Sequence, residues 1–152
     1  MKTIDTLIHI GITVADVERS IEFYCKNFGM VLHRRNAFAE AFFDANKSLY
    51  ELEKTTCKTA VLKTPNGIQL ELFEFSNQLA PAKVPWNRVG ITHFALTTDN
   101  VPELAKQLRE NGVEFTMDVD TRPDKGHWVF VRDPDGNLIE IMEPFAIDQQ
   151  KV

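Results

Sequence analysis

With 152 residues, the chain has room for one domain of ordinary size or for two small modules sharing a core. A formal net charge of −5, with no run of lysine or arginine, argues against nucleic acid as a partner. Cys25 and Cys57 are too far apart in sequence for a disulfide scaffold or a thiolate metal site, and no stretch has the plan of a signal peptide or the length of a membrane span. The expectation is a cytoplasmic protein in a reducing compartment.

In chain order, "LIHIGITV" (7–14) alternates as a strand does, with Ile8, Ile10, Ile12 and Val14 on one face and His9, Gly11 and Thr13 on the other. Val17, Ile21, Cys25 and Phe28 then recur at helical spacing, with Asp16 as a plausible N-cap and Gly29 as a stop. Extended segments follow at "MVLHRR" (30–35), "TCKTAVLK" (56–63) and "GIQLELFEF" (67–75). Between the first two, Phe38, Phe42, Ala45, Leu49 and Leu52 lie as on one face of a helix, which predicts a helical insertion over about 36–54 that patches a core or an interface. A linker with two prolines, "APAKVPWNRVG", leads to a second strand–helix start at "GITHFALTTDNV" (90–101). Val101, Leu104, Ala105 and Leu108 form its helical stripe, Pro102 sits in the first turn, and Asn111-Gly112 ends it. "VEFTM", "HWVFV" and "NLIEIME" complete the second half as strands, and the tail from 146 to 152 carries no role.

The two halves repeat one another. "VRDPDGNLIEIME" (131–143) restates "LKTPNGIQLELFE" (62–74), so that Pro134, Gly136, Glu140 and Glu143 fall on Pro65, Gly67, Glu71 and Glu74. His93 likewise falls on His9. Each half reads β-α-β-β-β, giving a first module over 1–80, a linker over 81–90 and a second module over 91–145. Alternation turns His9 and His93, and also Glu71 and Glu140, away from the face that meets the helices. A lone histidine or glutamate in a strand is usually a solvated or hydrogen-bonded residue. The duplicated pattern reverses that judgement. If the modules pack side by side, four such groups converge on one surface, and a divalent cation offsets the cost of burying them. Two glutamates neutralise its charge and two imidazoles supply nitrogen.

"HIGITVADVERSIEFYCKNFGM", "LELFE", "THFALTTDN" and "FVRDPDGNLIEIME" together resemble the vicinal oxygen chelate superfamily, and within it glyoxalase I, over about residues 5–144. The resemblance implies an α+β fold of two tandem βαβββ modules, with curved mixed sheets around a central metal-binding cup. It implies His9, Glu71, His93 and Glu140 as ligands of nickel, cobalt, zinc, manganese or ferrous iron. It also implies a metal-dependent isomerase or lyase reaction through an enediolate, in which Glu140 carries the proton between carbons and Glu71 stands in on the opposite side. The substrate would be a small α-oxygenated carbonyl compound, such as a thiol adduct of a 2-oxoaldehyde, and relatives of this type pair as homodimers. Members that use glutathione carry an arginine four residues after the first ligand and an asparagine four after the second. Here those places hold Thr13 and Phe75, which points to another thiol or another small oxygenated substrate. From their facing alone, Phe73, Phe75, Trp128, Phe130 and Met142 are the candidate pocket walls.

Two rivals come from the same superfamily. An extradiol-type dioxygenase would use His9, His93 and Glu140 as a facial triad, but it expects a tyrosine where Phe130 stands and leaves Glu71 surplus. A non-catalytic antibiotic-binding module would not require the metal quartet.

Overall fold

A computed structural model describes residues 3–80, 85–122 and 126–144. The chain divides into two compact units, Met1–Pro81 and Ala82–Val152, each built around its own mixed β-sheet with one long helix against it. None of the described helices is long and apolar enough to cross a membrane.

The first unit runs β1 (His9–Thr13), α1 (Val17–Phe28), β2 (Val31–Phe38), α2 (Glu40–Ala45), α3 (Lys47–Tyr50), β3 (Cys57–Lys63) and β4 (Gln69–Phe75). Its sheet has the order β1-β4-β3-β2, with β1 parallel to β4 and the remaining neighbours antiparallel. Helix α1 begins where the Asp16 carboxylate accepts from the Arg19 N–H at 2.9 Å, and it ends at Gly29 in the left-handed conformation. Its buried stripe is Val17, Ser20, Ile21, Tyr24 and Asn27, so the core face is turned slightly from the one predicted and leaves Cys25 and Phe28 half-buried. Beneath it lie Ala60, Leu62, Leu70 and Leu72, all buried. Ile8 does not join them. The strand starts only at His9, and Ile8 is 59% exposed.

The predicted insertion helix is corrected. Residues 36–38 extend β2 against β3, where Phe38 pairs with Cys57, and the rest forms two short helices. The break falls at Asn46, whose backbone leaves the helical region while its side-chain amide donates to the Phe42 carbonyl at 2.7 Å. An asparagine that bonds its own helix's carbonyl competes with the next turn. The aromatic residues still gather on one side: Phe42 and Phe43 touch Tyr50, and Phe43 packs edge-on to Phe75.

The second unit runs β5 (Phe94–Thr97), α4 (Val101–Glu110), β6 (Glu114–Phe115), β7 (Asp120–Arg122), β8 (Gly126–Arg132) and β9 (Leu138–Met142). The path is β5-β9-β8-β6, with β7 also on β8 and β5 parallel to β9. The single strand expected at 113–117 is thus a two-residue strand plus a separate, unpredicted one on the same edge of β8. Asn100 caps α4 by accepting from the Glu103 N–H at 3.0 Å, and Val101, Ala105 and Leu108 are buried. The predicted tail lies outside the described residues.

The repeated motif has a repeated structural use. In each unit the last two strands are joined by a tight turn whose glycine takes positive φ, 91° at Gly67 and 85° at Gly136, which favours glycine over other residues. The carboxylates three residues past Glu71 and Glu140 then reach a helix N-terminus. Glu74 accepts from the Val17 N–H at 2.8 Å, and Glu143 accepts from the Val101 N–H at 3.1 Å. These amides begin α1 and α4, where backbone donors lack partners and the helix dipole favours negative charge. Glu143 also accepts from the His127 N–H at 2.9 Å, and these bonds, His127 first, hold its carboxyl below the ordinary 4.5. A carboxyl with a depressed folded-state pKa contributes stability above its unfolded value, and that contribution is lost as pH falls through the folded one. Glu143→Gln is therefore expected to lower the melting temperature by several degrees at pH 7. In thermal melts across pH, the gap to wild type should close as pH falls from 4.5 through the depressed folded value.

Candidate metal centre

Cross-strand partners share a face, so the register identifies what surrounds each predicted ligand. In the first unit, Gly11, Glu71 and Val61 stand side by side, and the next row holds Thr13, Phe73 and Thr59. His9 opens β1 on the same face. Its Nε2 lies 3.7 Å from Glu71 Oε2, with the imidazole half exposed and the carboxylate 20% exposed. Gly11 has a steric reason. A Cβ there would sit 3.2 Å from Phe73 Cε2, so the ring of Phe73 lies close over the backbone between His9 and Thr13. Phe73 and Phe75 are stacked with an interplanar angle of 8°.

In the second unit, Ala95, Glu140 and Phe130 form the corresponding row, and Thr97, Met142 and Trp128 the next. His93 immediately precedes β5, and its Nε2 is 3.3 Å from Glu140 Oε2. The Thr92 hydroxyl lies 2.9 Å from His93 Nδ1. When Nδ1–H donates to that hydroxyl, Nε2 keeps its lone pair, which is the tautomer a metal ligand needs. Trp86 and Phe130 pack against the same imidazole. The sequence reading passed over both Thr92 and Trp86. The Thr-His dipeptide was a signal for the first, and a large aromatic residue in a proline-bearing linker was a signal for the second.

The structure thus pairs the four predicted ligands two by two, His9 with Glu71 and His93 with Glu140. Neither carboxylate pairs with a lysine or arginine among the described residues. Two ligands each about 2.0–2.2 Å from one ion stand roughly 3 Å or slightly more apart. Separations of 3.3 Å and 3.7 Å between nitrogen and oxygen fit that arrangement, the longer one at the more exposed imidazole. Among the described residues, no group of three or more His, Cys, Asp or Glu is placed to hold an ion. Cys57 is on the Glu71 face, but burial pushes its thiol up to about 11. At that value the thiol stays protonated at neutral pH.

The predicted pocket walls differ in exposure. Phe73, Phe75, Trp128 and Met142 are half-buried, whereas Phe130 is buried, with Trp86, His93 and Trp128 edge-on or tilted around it. The Trp128 indole N–H donates to Asp120 at 3.0 Å. His127, the imidazole that a dioxygenase reading would need as acid or base, has its Nδ1 2.8 Å from the Thr121 hydroxyl, and it alternates away from Trp128 along β8.

Comparison with known proteins places the chain among relatives of the same fold. The chain is 30% identical over 140 residues to a lactoylglutathione lyase of Escherichia coli O157:H7, covering 90% of this chain and 91% of that one. A glyoxalase family protein from Bacillus cereus superposes with a TM-score of 0.78 at 21% identity, over 93% of this chain and 95% of the other. The trypanothione-dependent glyoxalase I of Leishmania major does so with a TM-score of 0.61 at 25% identity, over 91% and 86%. The model of the glyoxalase/bleomycin resistance protein/dioxygenase superfamily matches residues 6–141, and the chain belongs to that superfamily.

Proposed function

We propose that the protein is a metal-dependent lyase or isomerase of the glyoxalase I type. On this reading it moves a proton between adjacent carbons of a small α-oxygenated carbonyl compound, such as the thiol adduct of a 2-oxoaldehyde. The observation that carries the reading is the twin His–Glu pair, one in each unit, set at ligand separation on the sheet face that carries Phe73 or Phe130. His9, Glu71, His93 and Glu140 would hold a divalent ion, with nickel, cobalt, zinc, manganese and ferrous iron all suited to two nitrogens and two carboxylates. Such an ion, when bound, polarises a substrate carbonyl and makes the neighbouring C–H acidic.

The remaining work falls to side chains. Glu140 takes the proton from one carbon and returns it to the next, while Glu71 serves the opposite side of the substrate. Thr92 keeps the His93 ring oriented. Phe73, Phe75, Trp128, Phe130 and Met142 would form walls that exclude water from the carbanionic substrate. Similarity to lactoylglutathione lyases supports the reaction, and Thr13 and Phe75 at the two departing positions support a thiol other than glutathione.

On this reading the protein works as a homodimer, with one copy supplying His9 and Glu71 and the other His93 and Glu140. Apolar side chains beside each histidine are left in water, with Leu7 65% and Ile91 83% exposed. The free thiols of Cys25 and Cys57 suit the cytoplasm.

The test is to load the protein with each metal and measure stoichiometry. Methylglyoxal is then supplied with several thiols while thioester formation and oxygen uptake are followed. Thioester without oxygen uptake is the expected result. Oxygen uptake with a catechol would replace this reading by a dioxygenase, and metal binding without turnover of any substrate would replace it by a binding module.

A further inference from the structure

The surroundings of His93 carry an inference that rests on the proposed function and narrows its substrate. Trp86 is 59% exposed, yet its ring centroid is 5.2 Å from that of His93 and 5.5 Å from that of Phe130. His93 and Phe130 are themselves 5.2 Å apart, and Trp128 meets Phe130 edge-on at 5.5 Å. An indole left more than half in water while packed against a ligand imidazole presents apolar ring surface next to the reacting centre.

On the sheet face that carries Glu140, the described side chains include Ala95, Thr97, Leu138, Met142, Trp128, Phe130, Asp120, Glu114 and the cation Arg132. That cation is engaged, donating to the Gly136 carbonyl at 2.7 Å and standing 3.6 Å from Glu114. The rings on this face offer stacking and edge contacts. Independently, the first unit sets Phe73 and Phe75 beside Glu71 as a stacked pair.

We propose that Trp86 is a specificity-determining residue, and that the substrate carries a flat apolar group, such as an aryl ring, on its α-oxygenated carbonyl. Trp86 forms the face on which that group packs, with Phe130 and Trp128 behind it. An arylglyoxal adduct fits this description better than an adduct of methylglyoxal.

The experiment uses binding rather than turnover. Full-length protein is loaded with zinc, and calorimetry measures the affinity of benzohydroxamate and acetohydroxamate, which share one chelating group and differ in the ring. Wild type should favour the aryl ligand. Trp86→Ala should lower that preference about tenfold, with zinc affinity and acetohydroxamate affinity unchanged, and Trp86→Phe should restore most of it. An unaltered preference in Trp86→Ala overturns the proposal. So does an equal loss of both ligands, which would mean that Trp86 only supports His93. Failure of wild type to bind zinc at all would remove the metal-centre reading, and this inference with it.

Discussion

Glu140→Gln is expected to lower turnover by about 10²- to 10⁴-fold, the range that a positioned acid–base group contributes, while the protein keeps its bound metal. Glutamine has nearly the same shape and retains one oxygen donor, so it can still occupy the place beside His93 Nε2. It cannot accept and return a proton at neutral pH. Glu140 lies within a sheet row between Ala95 and Phe130, beside the His93 imidazole, and no lysine or arginine pairs with it among the described residues. No other carboxylate in that unit shares the row. Glu71→Gln should cost less, because Glu71 serves the opposite side of the substrate. The measurement is thioester formation at saturating metal, with metal content determined on the same samples. Full activity in Glu140→Gln would remove Glu140 from the proton-transfer role.

The second large effect concerns assembly of the ion site. A chain carrying His9→Ala and Glu71→Gln is expected to lose metal binding, and so is a chain carrying His93→Ala and Glu140→Gln. Removing ligands should cost more than the roughly 10- to 100-fold in affinity that changes around a ligand cost. If each ion takes one pair from each of two copies, mixing the two damaged chains regenerates intact sites. Random reassociation makes half of the dimers mixed, and each mixed dimer has one complete site of two, so recovery should approach about a quarter of wild type. Metal content and activity of the mixture, compared with each variant alone, report the outcome. No recovery after verified exchange of chains would mean that the four ligands come from a single chain.

Much of the architecture could be read before any coordinates. The Asp16 cap, the Gly29 stop, the glycine turns and the stripe through Val101, Ala105 and Leu108 act over a few residues, so local chemistry suffices to place them. The alternation that put His9, Glu71 and Glu140 on one kind of face depends only on strand period. Duplication then made a weak signal strong, since a glutamate in a strand says little by itself and two at matching positions say more. Reading failed where a residue's conformation is set by what it meets. Phe38 has helical spacing with Phe42, yet pairing with Cys57 draws it into β2. Asn46 breaks the insertion helix through a side-chain bond that periodicity does not register.

From sequence alone came the βαβββ repeat, the family resemblance and the four candidate ligands, because each follows from short-range periodicity and repeated motifs. Tertiary structure decided how those ligands pair, with Glu71 beside His9 and Glu140 beside His93, since parallel pairing joins strands that are remote in the chain. It also gave Glu74 and Glu143 their work at helix starts and brought Trp86 out of the linker onto His93. Such contacts are made across space between residues whose spacing along the chain carries no period, and only the packed sheet brings them within reach.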